Sequence, residues 1–401
     1  MASRSFRFAG EGDPLHFESQ AAPSDGDFSE RAASILLYSI FIATGAAIVI
    51  PGTLLPSLLT RWSLNDAQAG VLFFCFFVGS SMGALLARGR LAWSIVRGAM
   101  LSATGIGLLA LSSRVSAFAA MVVFGVGLGI AMTSVSLFQS RRRAATRVAE
   151  MTRLNLVWAI GAAAGPAMLL RGVAQSSLNT VLWVAVGVFA LAGMMAAWVL
   201  PGSEPSEPDA TLPLERMTLR RMTSGEVPWR LIAMVPLATG VEAGVGAWLA
   251  AYSRRGGMLL GATISTVTCF WLGLLLSRLV QSSSGFAARF QRETLRFAPM
   301  LMIAGTLLLV FRNNGATVMA GALLVGFGVG PLYPLILGLV LDRGEARTLV
   351  FLAGGIGGST LPLLTGVVSD RAGSLAVGLG VPLTASIAMS LLGLGVRAKE
   401  E

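Results

Sequence analysis

Apolar runs of about twenty residues recur along this chain from residue 32 to residue 396, each ended by a short cluster of charged or turn residues. In lipid the backbone of such a run has no water to bond to, so it must form a helix, and about 20 residues cross the hydrocarbon layer. Twelve runs can be delimited: 32–58, 67–87, 94–112, 115–139, 148–170, 178–200, 229–253, 258–280, 294–311, 315–340, 346–369 and 374–396. Composition points the same way. The 401 residues are 54% hydrophobic and 12% charged, whereas a soluble domain carries about 25% charged residues. The expectation is an all-α integral membrane protein with twelve transmembrane helices.

The polar remainder organises the spans. Residues 1–30 hold six acids and no apolar core of a signal peptide, so a disordered tail is expected. Residues 201–228, rich in Pro, Ser, Glu and Arg, divide the spans six and six. The expected domains are the tail at 1–30, an N-terminal half at 31–200, a linker at 201–228 and a C-terminal half at 229–397. An amphipathic stretch around Leu214–Met222 suits a membrane surface. With both termini on one side, that side receives 23 of the 30 Arg and Lys residues. The other side receives Arg61, Arg114, Arg171, Arg254, Arg255, Arg312 and Arg371. Basic loops stay cytoplasmic. The expected location is therefore the cell inner (plasma) membrane, multi-pass, with tail and linker in the cytoplasm and Arg278 among the cytoplasmic loop arginines.

The halves repeat each other. GVGLG at Gly125–Gly129 returns as GFGVG at Gly326–Gly330, GAAAGP at Gly161–Pro166 returns as GGSTLP at Gly357–Pro362, and Cys75 returns as Cys269. Small residues at such spacing let membrane helices pack closely. Pro166, Pro331, Pro334 and Pro362 lie in or near spans, where they would kink helices at gates or at ordinary packing bends.

Several function classes are disfavoured. The net charge of +10 comes from arginines that punctuate apolar runs, without a basic, aromatic-interleaved patch for nucleic acid. The sequence lacks GxxxxGK[ST], HExxH, CxxC and GxSxG, and the single histidine, His16, lies in the polar tail. No enzyme activity, metal or cofactor is expected. The two cysteines fall in different halves and are not expected to pair.

Polar groups within spans are few. Glu242 sits near the centre of the seventh run and is the one acid well inside any of them. A charged group there costs about 2.5–3.5 kcal/mol on insertion scales, and such groups usually face a cavity or partner. Glu242 is thus a candidate for binding solute or carrying a proton, the alternative being a neutral carboxyl that ties two helices together. Apolar surroundings favour the protonated acid, which suits a proton carrier. Asn155 and Trp158 open the fifth run, Gln139 closes the fourth, Trp248 follows Glu242, and Tyr333 lies in the tenth. Amides, a carboxyl and flat aromatic faces are what a polyol requires. Trp248 and Tyr252 also suit membrane-interface anchors, the stronger reading for Tyr252. On a straight helix Glu242 and Trp248 point about 120° apart, so a shared cavity requires a bend, at Gly244 or Gly246.

Six segments carry a family resemblance: LPSLLTRWSLNDAQAGVLFFCFFVGSSMGALL at 55–86, RLNLVWAIGAAAGP at 153–166, TGVEAGVGAWLAAY at 239–252, FWLGLLLSRL at 270–279, GFGVGPLYPLILG at 326–338 and GGIGGSTLPLLTGVVSDRAG at 354–373. With them the chain resembles the major facilitator superfamily, in particular its fucose/glucose–galactose permease branch of sugar–proton symporters. The resemblance implies two six-helix pseudo-repeats around a central site, with Asn155, Glu242 and Trp248 on pathway-lining positions. Two departures matter. The loop after the second span reads GALLARGRLAW, with Ala87 where the family carries an acid, and the first and fourth spans lack the branch's membrane acids. Proton coupling would then rest on Glu242.

The expected function is secondary active or facilitative transport of a small polar solute, a sugar first, by a monomer in the lipid bilayer. Glu242, Asn155, Gln139, Trp158, Trp248 and Tyr333 are the expected solute-binding residues, and Glu242 the proton-coupling one. The alternatives are an exporter of amphiphilic compounds, for which 17 methionines would provide an adaptable lining, and a transporter-like sensor or scaffold.

Overall fold

The computed structural model describes residues 25–204, 229–282, 289–311, 314–341 and 347–395. His16, the amphipathic stretch at Leu214–Met222 and most of the linker lie outside these residues. Among the described residues, twelve helices are long and apolar enough to cross a membrane. In the N-terminal half they are α1 (Glu30–Thr53), α2 (Asp66–Leu86), α3 (Leu91–Leu111), α4 (Ser116–Arg142), α5 (Ala149–Gln175) and α6 (Leu178–Val199). In the C-terminal half they are α7 (Trp229–Arg255), α8 (Leu260–Ser282), α9 (Gln291–Val310), α10 (Gly315–Val340), α11 (Leu352–Ala372) and α12 (Leu375–Leu394).

The structure adds detail at both ends of the N-terminal half. The first helix already begins at Asp25, so the last residues of the expected tail are helical. Pro201–Ser203 form a 3₁₀ turn, and the Glu204 carboxylate meets Arg90 Nε at 3.3 Å and the Ala92 amide at 3.4 Å, at the N-terminus of α3. Unpaired amides at a helix start attract a carboxylate.

Some prolines break helices, whereas Pro166 and Pro362 lie inside continuous ones. Pro51 and Pro56 lack the N–H that would bond four residues back, and the first helix is interrupted at Val49 and again at Leu54 before the short helix Leu55–Trp62. In α10 the helix stops at Val329 and restarts at Leu332, around Pro331.

The repeat read from glycine spacing is a repeat of packing. In the first half α2 lies against α4, where Gly125 leaves no room for a Cβ beside the Phe76 carbonyl and Gly79 none beside that of Val122. In the second half α8 lies against α10 in the same way, Gly326 against Phe270 and Gly273 against Leu323. A second equivalent pair joins α1 to α5 and α7 to α11. Gly161 meets the Ile42 backbone, and Gly357 meets that of Pro236. Close backbone approach through small residues is how helices associate when lipid is as apolar as the side chains.

The halves also meet through equivalent helices, α2 with α11 and α5 with α8. Away from these seams the helices expose apolar side chains such as Met168, Val184 and Trp198, the surface a bilayer requires.

Candidate functional site

A cavity of about 290 Å³ lies between the halves and takes its walls from both. Helix α7 supplies one wall. Thr239, Glu242, Ala243, Gly246 and Ala247 line the cavity and share one helical face by their three- and four-residue spacing. Most of that face is small, so Glu242 stands into open space, half-buried. Thr239 turns its hydroxyl to the carbonyls of Val235, at 3.1 Å, and Gly354 on α11, at 2.9 Å.

Helix α8 supplies Trp271 and Arg278. Seven residues apart, they lie about 20° from each other around the axis. From α5 come Asn155 and Trp158, also on one face. The Trp158 and Trp271 rings meet edge to face with centroids 6.1 Å apart, and the Arg278 guanidinium carbon lies 5.2 Å from the centre of the Trp158 ring. This cation–π contact crosses from one half to the other. Tyr333 follows the break in α10 and reaches the cavity beside Gly354. Phe41, Phe73, Phe76 and Phe77 complete an aromatic wall.

The electrostatics are those of a split pair. Glu242 and Arg278 both line the cavity and act on each other through space, without closing into a direct ion pair among the described residues. The indole N–H groups of Trp158 and Trp271 and the Nε of Arg278 are shielded from solvent and find no acceptor among the described residues. Asn155 is exposed and donates only to the Met151 carbonyl of its own helix, at 3.0 Å.

One end of the cavity is shut. Gly52 of α1 packs so tightly on Gly246 and Ala247 of α7 that a Cβ at Gly52 would strike their backbone. Beyond it, Asp66 at the start of α2 accepts a two-pronged bond from Arg255 at the end of α7, at 2.7 and 2.6 Å, and a third from Ser369 of α11 at 2.5 Å. All three donors belong to the opposite half. Toward the other end, the one bearing the start of α1, Asn155 remains accessible.

Of the residues expected from sequence, Glu242, Asn155, Trp158 and Tyr333 come together on the cavity wall. Two do not. Gln139 is buried among α1, α4 and α5, outside the cavity wall, and donates to Glu150 at 2.9 Å. Glu150 also accepts from Tyr38 at 2.5 Å and Arg153 at 2.6 Å, so this polar cluster ties α1, α4 and α5 together. Trp248 is fully buried on another face of α7. Its indole donates to the Pro362 carbonyl at 3.0 Å, and its ring meets the Phe73 edge at 5.6 Å. Helix α7 runs unbroken from Trp229 to Arg255, so no bend brings Trp248 round to Glu242. Nor is Tyr252 an interface anchor, being buried with its hydroxyl on the Leu309 carbonyl.

Arg278 is the residue that sequence reading missed. Counted as a loop arginine, it lies within α8 and lines the cavity. The signal was present in the seven-residue interval from Trp271.

No family model matches the sequence, and no curated protein sequence matches it. Solved structures do match. The nucleoside transporter NupG superposes with a TM-score of 0.66 at 11% identity, over 91% of this chain and 97% of that one. A bacterial homolog of the human lysosomal transporter Spinster, in an inward-facing and unoccupied conformation, gives 0.64 at 16% identity, over 92% and 94%. The major facilitator superfamily transporter FucP, in the outward conformation, gives 0.60 at 18% identity, over 91% and 99%. At such identities the likeness is one of fold. Twelve helices in two halves, with equivalent glycine contacts inside each half and equivalent helix pairs between them, make this chain's architecture the major facilitator fold.

Proposed function

We propose that this protein is a secondary transporter that moves a small polar solute, a sugar or sugar derivative, across the cell membrane by rocking its halves about the central cavity. One observation carries this reading. Polar groups from both halves line a cavity that a cross-half ion pair seals at one end while the other end stays accessible. Alternating access requires such a site and such a seal. The likeness to transporters of nucleosides and to FucP agrees with it.

A volume of about 290 Å³ is at the small end for ligand pockets, which run to about 1,000 Å³. It favours a solute of monosaccharide size over a large amphiphile, and Met132 is the single methionine on the wall. Aromatic faces suit the apolar side of a sugar ring, with Asn155, Glu242 and Tyr333 for its hydroxyls. Glu242 is the proton-coupling group in this reading, because an acid in the membrane interior has a function by default.

The arginine asymmetry supports cytoplasmic termini in the inner membrane and survives the transfer of Arg278 from loop to cavity. Residues 31–200 and 229–397 are then the moving halves, and 201–228 the cytoplasmic connection. The protein acts as a monomer, each chain holding a complete cavity.

Flux of radiolabelled hexoses and deoxyhexoses into proteoliposomes, with and without an inward proton gradient, tests the proposal. Wild type should accumulate solute under the gradient. Glu242→Gln should equilibrate it without accumulation. Saturable binding with no flux would overturn transport in favour of a ligand sensor.

A further inference from the structure

We infer that the solute recognised by this cavity carries a carboxylate, held by Arg278 between the indole N–H groups of Trp158 and Trp271. This deepens the transport reading and rests on it for the site's role. Arg278 has only donors to offer, and an indole nitrogen likewise. Three donor groups on the α5 and α8 side of the cavity have no acceptor among the described residues: Arg278 Nε, Trp158 Nε1 and Trp271 Nε1. A solute in the cavity can bring one.

A neutral polyol serves this wall poorly. Each hydroxyl that accepts a bond also brings a proton needing an acceptor, and on this side the Asn155 amide is the one side-chain acceptor among the described residues, the others lying on the opposite wall. There Glu242 and Tyr333 line the cavity, and Thr239 spends its proton on Val235 and Gly354 but can still accept. A carboxylate has acceptors only, and its two oxygens match the guanidinium fork. The Arg278 guanidinium carbon lies 5.2 Å from the Trp158 ring centre, which holds the charged group beside that ring.

Charge gives an independent reason. A guanidinium in a membrane interior needs a counter-charge, and Glu242 stands apart from Arg278 without closing on it. An incoming carboxylate supplies the counter-charge directly. Glu242 can then take up a proton, so that anion and proton enter together and Arg278 stays balanced throughout. Among the described residues, the charged and titratable side chains lining the cavity are Glu242, Arg278 and Tyr333. The hydroxyl-binding wall opposite Arg278 marks the rest of the solute as hydroxylated, so the class is a small hydroxy acid of sugar-acid type.

The test uses the full-length protein, purified for binding and reconstituted for flux, with three matched probes: galacturonate, its uncharged methyl ester and galactose. Galacturonate should bind at least about tenfold more tightly than either neutral probe, since hydrogen bonds to a charged group are the strong ones. Arg278→Gln should erase that preference, and Arg278→Lys should keep part of it. Trp271→Phe, which deletes one N–H and leaves a smaller aromatic ring, should weaken galacturonate more than it weakens the neutral probes. Melting temperatures and retained neutral-probe binding check that the variants are folded. An amino acid bound more tightly than galacturonate, again through Arg278, would keep the carboxylate and overturn the hydroxylated remainder.

Equal binding of the three probes by wild type, or an undiminished preference in Arg278→Gln, would overturn the inference. Galactose accumulating under a gradient without galacturonate would overturn it while sparing the transport reading. Arg278-dependent galacturonate binding with no flux would sustain it and remove transport. No binding and no flux would remove both.

Discussion

Asp66 joins the two halves at the sealed end, and neutralising it should unseat the closed state by an amount the geometry fixes. It accepts bonds at 2.7 and 2.6 Å from Arg255 and at 2.5 Å from Ser369, both residues lying in the C-terminal half. Asp66→Asn keeps the shape, removes the charge and replaces one acceptor oxygen by an NH2 donor. A bond to a charged group contributes about 1.5–3 kcal/mol, and the difference is about that of one such bond. The Arg255 side chain is 44% exposed, so solvent screening reduces the difference. About 1–2 kcal/mol remains, which shifts the ratio of open to closed by roughly tenfold. Spin labels at Val115 and Leu259 report it, since each is 80% exposed and they flank the seal on opposite halves. Cys75 and Cys269, both unpaired, are first replaced by serine. The mutant should gain a population at longer separation, and adding Arg255→Gln should add little, because both changes remove one interaction. An unchanged distance distribution, or full additivity of the two substitutions, would refute the assignment of this pair as the seal.

Other outcomes follow from the same structure. Gly161→Leu and Gly357→Leu should each lower stability by about 1–3 kcal/mol through overpacking, because the Ile42 and Pro236 backbones occupy the space; thermal midpoints read this. Gly187→Ala, where nothing lies within 4 Å, should instead be neutral or slightly stabilising, by up to about 1 kcal/mol. Glu150→Gln should cost about 1–3 kcal/mol of stability while leaving solute affinity unchanged, since its partners Tyr38, Gln139 and Arg153 stand outside the cavity. Accumulation by wild type should fall as the external pH rises toward the internal pH, and Glu242→Gln should remove that dependence; a mutant that retains it would exclude Glu242 as the proton carrier.

The sequence alone determined the number of spans and their grouping, because bilayer thickness sets helix length and the apolar runs carry that length locally. It also determined the two-fold repeat. Gly125 and Gly326, or Gly161 and Gly357, had to be small wherever a neighbouring backbone pressed closest, and that need shows as spacing. Glu242 was legible because an acid inside an apolar run is conspicuous in one dimension. Only the tertiary structure decided which way side chains face. Gln139 and Trp248 have the right chemistry for a site, yet one answers Glu150 and the other the Pro362 carbonyl. Arg278 looked like a loop arginine because a charge near a span end normally reaches the headgroups, and it lines the cavity because α5 of the other half sets Trp158 beside it. An apolar helix marks its depth in its sequence. Which of its faces meets lipid, a partner or a cavity depends on helices hundreds of residues away, and only their packing settles it.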